Sequence, residues 1–169
     1  NDTVSLRGVV IAYDSRYHSR EFAMETCGVL AGNGIKSYVF DDLRPTPELS
    51  YAVRKLSAIA GIVITASHNP AQYNGYKIYW EDGAQISKKL SDDIMSEINS
   101  VTDFNNVMYK NLDTAKDDGL LAVIGTEIDS MYLDAIKSLV LDSEAIEKVS
   151  DNYKIIYTPL HGTGNIPVR

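Results

Sequence analysis

The residues with the clearest chemical potential are a serine and its neighbours in the run TASHNP, residues 65–70. The preceding residues 61–64 are apolar, mostly β-branched and too few for a helix, which predicts a buried strand. Ser67 should therefore emerge in a loop at the carboxyl end of that strand, where open α/β sheets bind their ligands. Its hydroxyl is a candidate nucleophile.

The residues next to Ser67 favour some reactions of its hydroxyl and disfavour others. An α/β-hydrolase elbow needs Gly-x-Ser-x-Gly before a helix, and the loop lacks that pattern. His68 follows Ser67 directly, so in extended backbone the two side chains should face opposite ways, which disfavours a local serine–histidine pair. Phosphoryl transfer asks less of the neighbours, because positioning and charge neutralisation carry most of the catalysis. A plain turn without chemistry is the alternative.

Three cations are candidates for the surroundings of the serine. Lys77 begins the chain's return from the loop and should point at the loop or at solvent. Arg16 follows the first predicted strand and offers a fork of donors for phosphate, with a surface ion pair as the alternative. Arg44 precedes the second predicted helix, whose N-terminus itself favours an anion. For Arg44 a site role and a structural role are equally open.

Composition narrows the class of protein. The 169 residues, 44% of them hydrophobic, suit about one domain plus a remnant. A net charge of -7 without a basic run disfavours a nucleic-acid partner. The sequence contains neither a membrane-span pattern nor a leader pattern at its beginning, so we expect a cytoplasmic protein. The single cysteine, Cys27, lies on a helical pattern and should belong to the core.

Alternating strands and helices are predicted by the hydrophobic periodicity. Strands 8–13, 36–40 and 61–65 alternate with two helices, and this order implies parallel strands with right-handed crossovers. Ser19 and Thr46 are the expected caps of those helices. Residues 76–80 should return antiparallel, so we predict an α/β fold with a mixed, mostly parallel sheet and helices on both faces.

The hydrophobic pattern of the second half of the sequence predicts further elements. A helix over 88–101, a polar excursion over 102–119 that buries little, and a short edge strand over 120–124 come first. A helix capped by Thr126 should close the domain at about residue 150. Residues 153–158 are predicted as the first strand of a second domain, truncated, over 151–169.

A family resemblance covers most of the chain. The run 65–70, followed by NGYK at 74–77 and GAQI at 83–86, resembles the α-D-phosphohexomutase superfamily of phosphoglucomutases and phosphomannomutases. Residues 14–16, 44–47 and 159–164 also look like family segments, in the family's order. Within the superfamily the sequence is most similar to the phosphoglucomutase/phosphopentomutase branch.

The resemblance implies a mechanism and a set of partners. Ser67 would be a phosphoserine that exchanges phosphoryl groups with a hexose monophosphate, interconverting the 1- and 6-phosphates through a bisphosphate. Lys77 would exchange the proton of the sugar hydroxyl or act as an electrostatic clamp, because a nearby phosphoserine favours its charged form. His68, Asn69, Arg16 and Arg44 would orient the loop or bind phosphate. Mg²⁺ would bind through the phosphate of Ser67, and glucose 1,6-bisphosphate would act as the phosphorylating activator.

The resemblance also indicates what the chain does not supply. The remaining metal ligands, the sugar-selecting loop and domains II–IV would lie outside this sequence, and a leading family segment with a reactive arginine is not matched. We therefore expect the chain alone to be inactive. Phosphopentomutase, phosphomannomutase, a non-catalytic sugar-phosphate-binding module and a serine hydrolase with a distant histidine remain the alternatives.

Overall fold

Five strands form one mixed sheet in the computed structural model, which describes residues 2–169 and the side chains from Ser5 onward. The order across the sheet is β4-β3-β1-β2-β5, and every neighbouring pair is parallel except β3 and β4. The predicted α/β fold with a mostly parallel sheet is confirmed. The strands are β1 (Val9–Tyr13), β2 (Ser37–Phe40), β3 (Ala60–Ile64), β4 (Tyr76–Trp80) and β5 (Leu121–Ile124).

Helices cover both faces of this sheet. α2 and α5 pack on one face, and α3 and α6 pack on the other. The described helices are α1 (Asp2–Arg7), α2 (Ser19–Gly32), α3 (Thr46–Lys55), α4 (Lys88–Ser100), α5 (Leu112–Asp117), α6 (Thr126–Lys137), α7 (Ser143–Ser150) and α8 (Asn165–Val168), with a 3₁₀ turn at Phe104–Asn106. None of the helices described combines the length and apolar character needed to cross a bilayer.

The central strand β1 explains why the sheet needs two covering layers. All five of its residues are buried, since alternate side chains enter opposite cores. Ile11 packs with α2, and Val10 packs with α3. Cys27 is fully buried in the layer formed by α2, as predicted.

The pairing of β1 with β3 determines where the two following loops meet. Tyr13 and Ile64 are register partners at the carboxyl ends of parallel strands. Asp14 and Thr65 therefore leave the sheet side by side, because parallel neighbours end at the same edge. Ser67 lies two residues beyond that edge.

The predicted helix caps are wrong. Ser19, Thr46 and Thr126 are each the first helical residue, and none of the three helices has a side-chain cap bond. The buried hydroxyl of Ser19 instead donates to Asp14 Oδ1 at 2.8 Å. A nearby carboxylate satisfies this hydroxyl better than the helix backbone does, and sequence spacing could not reveal that partner.

The second half of the chain departs furthest from expectation. The excursion 102–119 does contribute to the core, since it contains α5, whose Ala115 is fully buried. Residues 153–158 form no strand, because no other strand of the described chain lies beside them to supply the ladder of hydrogen bonds. Ile155 and Ile156 are consequently exposed.

Candidate active site

The loop that carries Ser67 is closed at its base by the sheet. We call residues 65–75 the serine loop; it joins β3 to the antiparallel β4. The Thr65 amide donates to the Gly75 carbonyl at 2.9 Å, which continues the ladder by one further bond. The loop thus starts from a rigid edge and projects its middle, residues 67–73, into solvent.

Arg16 holds the serine loop from the neighbouring strand. Its Nη1 donates to the carbonyls of Pro70 at 2.8 Å and Tyr73 at 3.2 Å, and its Nη2 donates to the carbonyl of Ser67. Its Nε donates to Asp14 at 3.1 Å. Only 8% of this side chain is exposed. The guanidinium therefore orients the loop, and its donors are occupied by carbonyl and carboxylate oxygens rather than open to a substrate phosphate.

Asp14 is the centre of a hydrogen-bond network at this edge. Its carboxylate accepts from Thr65 Oγ1 at 2.6 Å, from Ser19 Oγ at 2.8 Å and from the Arg16 amide at 3.0 Å. Ser19 Oγ in turn accepts from Asn74 Nδ2 at 2.8 Å. One carboxylate thereby joins the end of β1, the start of α2 and both ends of the serine loop.

Ser67 has an unusual backbone conformation and an exposed side chain. Its φ of 59° is in the left-handed region, which costs a non-glycine residue about 1 kcal/mol. Its amide donates to Thr65 Oγ1 at 2.9 Å, and its carbonyl accepts from Arg16. With both backbone groups engaged within the protein, the hydroxyl is the group that remains for chemistry.

The expectation that Ser67 and His68 face apart is wrong. Ser67 Oγ lies 3.4 Å from His68 Nδ1, because the left-handed turn replaces the extended backbone assumed from the sequence. This contact is at the long limit for a hydrogen bond. Among the described residues no hydrogen bond orients the Nε2 atom of His68, so the third member of a hydrolase triad is not assembled here.

A cavity of about 260 Å³ is lined in part by Ser67. The structure brings residues 161–163 to this cavity. Ser15 Oγ anchors that segment by donating to the His161 carbonyl. The cavity is lined by polar groups from four parts of the chain: Asp14, Arg44, Thr46, Thr65, Ser67, His68, His161 and Thr163, together with Val63 and Gly162.

Lys77 lies on the same face of the sheet as the cavity wall. It is the antiparallel register partner of Val63, which lines the cavity, and cross-strand partners share a face. Its side chain is half-buried. Lys77 has no ion-pair partner in the part of the chain that the structure describes. It is not among the residues that line the cavity at Ser67, however, and it lines a separate pocket between β4 and α4.

Arg44 lines the cavity, yet its charge is directed into a buried ion pair. Its Nε and Nη2 donate to the two carboxylate oxygens of Asp129 at 2.7 and 2.8 Å, and Nη2 also reaches Asp41 at 3.0 Å. Its side chain is 2% exposed. The structural role that was left open for Arg44 is the one its geometry fits, because its strongest donors are occupied by carboxylates.

Glu48 completes this buried cluster and is the most perturbed carboxyl group in it. Burial raises its pKa to about 8, hydrogen bonding and negative charge from Asp129 add to that shift, and Arg44 at 3.8 Å opposes it. Burial also acts to raise the pKa of Asp129, but hydrogen bonds from Arg44 and Glu48 outweigh it and lower that pKa. At neutral pH Glu48 therefore carries the proton and Asp129 carries the charge.

A complete metal site is not formed by the side chains that the structure describes, those of residues 5–169. No group of three or more histidine, cysteine, aspartate or glutamate side chains among them could hold an ion. The loop tip provides a serine, a histidine and an asparagine, and all three are exposed. Any divalent cation here would need oxygens beyond these side chains.

Residues 3–104, more than half of the chain, match the family model described as phosphoglucomutase/phosphomannomutase, alpha/beta/alpha domain I. A phosphoglucomutase of Staphylococcus saprophyticus is 40% identical over 163 residues, which cover 96% of this chain and 29% of that protein. A Schizosaccharomyces pombe protein named "Probable phosphoribomutase" is 37% identical over 93% of this chain and 26% of its own length.

A solved structure supports the fold independently. The open form of the Paramecium phosphoglucomutase pp63/parafusin matches with a TM-score of 0.67 at 20% identity, over 89% of this chain and 31% of that one. The chain thus belongs to the phosphoglucomutase/phosphomannomutase family and has the fold of its first domain. It spans under a third of the length of these relatives.

Proposed function

We propose that this chain is the phosphoserine-carrying first domain of a phosphohexomutase. Among the members of that family we favour a phosphoglucomutase. The observation that carries the proposal is the exposed Ser67, which has a left-handed backbone conformation and lines a polar cavity. Membership of the family supports it. Residues 1–150 would form the domain, and residues 151–169 would begin the next one.

The proposed reaction moves a phosphoryl group in two steps. The P–O bond at Ser67 Oγ breaks as a sugar hydroxyl oxygen takes the phosphoryl group, and the proton of that hydroxyl passes to a base. The resulting bisphosphate reorients, and Ser67 Oγ takes the other phosphoryl group as the P–O bond to the sugar oxygen breaks. That sugar oxygen takes back the proton from the base. Positioning and charge neutralisation dominate such a transfer, which fits a loop in which the amide and the carbonyl of Ser67 are both hydrogen-bonded.

Each neighbouring residue has a proposed part in that reaction. Lys77 would balance phosphate charge from the adjacent sheet face and exchange the hydroxyl proton. His68 and Asn69 would orient the phosphoserine, and Arg16 would hold the loop. The start of α3 lines the cavity and would favour the same anion, because a helix N-terminus carries partial positive charge.

Mg²⁺ is a further part of the proposal, with Ser67 as the residue of this chain that would contribute to its site. A phosphoserine carries about -1.5 to -2 charge and presents oxygens that suit a hard cation. When bound, the ion would neutralise charge on the transferring group. Its other ligands, like the parts of the site that exclude water, would come from the remaining domains of the same enzyme. The isolated chain should therefore turn over little substrate.

The preferred sugar is proposed as glucose, with glucose 1,6-bisphosphate as the activator. The name of the Schizosaccharomyces pombe relative favours a pentose phosphate as the second candidate. Both substrates would use the same serine, so they differ in the part of the enzyme that selects the sugar.

One experiment separates these functions. The full-length protein that contains this chain is incubated with glucose 1,6-bisphosphate and Mg²⁺, added phosphate is located by peptide mass, and conversion of glucose 1-phosphate and ribose 1-phosphate is measured. We expect phosphate on Ser67, and we expect Ser67→Ala to abolish both labelling and turnover. Ser57→Ala is the matched control, because Ser57 is also exposed with a positive φ but precedes β3 at the opposite edge.

The other outcomes identify the alternatives. Sugar-phosphate binding without phosphate on Ser67 would indicate a non-catalytic module. Covalent labelling of Ser67 by an activated phosphonate would indicate a hydrolase. Turnover by the 169-residue chain alone would refute the claim that its site is incomplete.

A further inference from the structure

The hydroxyl of Thr65 makes two hydrogen bonds that have only one possible direction. It lies 2.6 Å from Asp14 Oδ2 and 2.9 Å from the Ser67 amide nitrogen. The amide must donate and the carboxylate must accept. The single hydroxyl proton of Thr65 therefore points at Asp14, and a lone pair of the same oxygen points at the Ser67 amide.

We propose that Asp14 and Thr65 are positioning residues for Ser67, which act by holding its amide so that the serine keeps the left-handed conformation that presents its hydroxyl to the cavity. The effect on turnover rests on the function proposed above. Neither residue touches the reacting atoms in this proposal. They act through the backbone of the serine.

Asp14 is well suited to fix the Thr65 hydroxyl. Its carboxylate also accepts from Ser19 Oγ and from the amide and Nε of Arg16, so its orientation is set from three directions. A hydrogen bond to an ionised acceptor is stronger than one between neutral groups. The Thr65 hydroxyl consequently has one preferred rotamer, which leaves its lone pair ready for the Ser67 amide.

Two residues that follow β1, Asp14 and Arg16, control both peptide groups of Ser67. Asp14 acts on the amide through Thr65, and Arg16 donates directly to the carbonyl. Because φ and ψ of a residue lie between those two peptide groups, fixing both groups fixes the direction of the side chain. The register of β1 with β3 places Asp14 and Thr65 close enough for this control.

Two substitutions at Thr65 test the proposal. Thr65→Val is close in shape but has no hydroxyl, and it leaves Asp14 Oδ2 bonded to Arg16 Nε, so the carboxylate keeps a partner. Thr65→Ser retains the hydroxyl. Ser19→Ala is the control, because it removes another hydroxyl donor from the same carboxylate, together with the acceptor of Asn74 Nδ2, but leaves the bond between Thr65 and the Ser67 amide.

The expected kinetic result in the full-length enzyme is a loss of kcat without a matching change in KM. For Thr65→Val we expect a decrease of about tenfold, which corresponds to about 1.4 kcal/mol. Thr65→Ser should stay within about twofold of the wild type, and Ser19→Ala should lose less kcat than Thr65→Val, because it keeps the bond to the Ser67 amide. Equal losses in Thr65→Val and Ser19→Ala would overturn the proposal, because the effect would then follow general weakening around Asp14.

An NMR measurement on the 169-residue chain tests the positioning independently of any activity. The wild type and Thr65→Ser should show a protected Ser67 amide and the strong intraresidue Hα–HN cross-peak of a positive φ. Thr65→Val should lose both features while its thermal unfolding remains cooperative. If Thr65→Val keeps them, or loses them at full turnover, the proposal is refuted. If the wild-type enzyme isomerises no sugar phosphate, the proposed function fails and the NMR result alone decides the positioning.

Discussion

Replacing the buried Glu48 by glutamine should make the protein less sensitive to alkaline pH. Both carboxyl oxygens of Glu48 are buried without a hydrogen-bond donor within reach in the described chain. The charged groups that face it are Arg44 and Asp129, and it contributes to the raised pKa of Tyr132. The native protein avoids a second buried negative charge beside Asp129 by keeping Glu48 protonated.

The size of the effect follows from the pKa of Glu48, which is about 8 against an ordinary value of 4.5. Between these values the native chain holds a proton that the unfolded chain has lost, so the free energy of unfolding decreases as the pH rises. The limiting slope is about 1.4 kcal/mol per pH unit. From pH 6 to pH 8, where the native carboxyl becomes half ionised, the loss amounts to about 2 kcal/mol.

Urea denaturation of the 169-residue chain at pH 6, 7 and 8 measures this loss directly. Glu48→Gln keeps the size of the side chain, cannot ionise and offers an amide donor to Asp129, so its unfolding free energy should be nearly constant over this range. Glu97→Gln, on the exposed surface of α4, is the matched control and should retain the wild-type slope. The lowered pKa of Asp129 acts near and below pH 4, outside the range.

Two results would refute this reasoning about Glu48. A wild-type unfolding free energy that is constant or rises from pH 6 to pH 8 would show that the native carboxyl is already ionised. A Glu48→Gln variant with the wild-type slope would assign the pH dependence to another group.

Three further predictions concern packing, the loop clamp and the thiol. A Cβ at Gly61 would lie 2.6 Å from Val53 Cγ2, so Gly61→Ala should lower the free energy of unfolding in urea by about 1–3 kcal/mol. Gly75→Ala is the control and should lower it less, because the nearest atom to a Cβ at Gly75 is 3.6 Å away. Arg16→Lys should speed hydrogen exchange in the serine loop but not in β1, since one ammonium cannot replace a guanidinium that holds three carbonyls. Cys27 is buried and its pKa is raised to about 11, so iodoacetamide should alkylate it only as fast as the native chain opens; rapid alkylation would contradict its place in the core.

Much of the sheet was predictable because its signals are local. Short β-branched runs alternate with helical periodicity. The alternating run 76–80, followed by a turn at residues 81–83, predicted the antiparallel return of β4. The helix caps were not predictable in the same way. The hydroxyl of Ser19 donates to the carboxylate of Asp14 instead of capping its helix, and only the folded chain brings that carboxylate within reach. Residues 153–158 have strand-like composition, but a strand also requires a neighbour.

The candidate site likewise has features that were predicted from the sequence and features that only the folded structure shows. The position of Ser67 after a buried strand and of Lys77 on the returning strand followed from residue types and spacing, and the family followed from a resemblance. The geometry around Ser67 was not predictable: the left-handed turn at Ser67, the approach of His68 and the position of residues 161–163 depend on partners remote in sequence. Arg16 and Arg44 look alike in the sequence, yet one clamps carbonyls and the other is buried against carboxylates.

The sequence by itself determined the five strands of the sheet, the helices α2, α3, α4 and α6, their order along the chain, and which serine leaves a buried strand. These properties depend on neighbouring residues and on periodicity, which a single chain displays directly. The tertiary structure alone decided which donor meets which acceptor at the edge of the sheet. Hydrogen bonds such as those of Asp14 to Thr65 and Arg44 to Asp129 join residues 51 and 85 positions apart, and only strand register and helix packing bring them together.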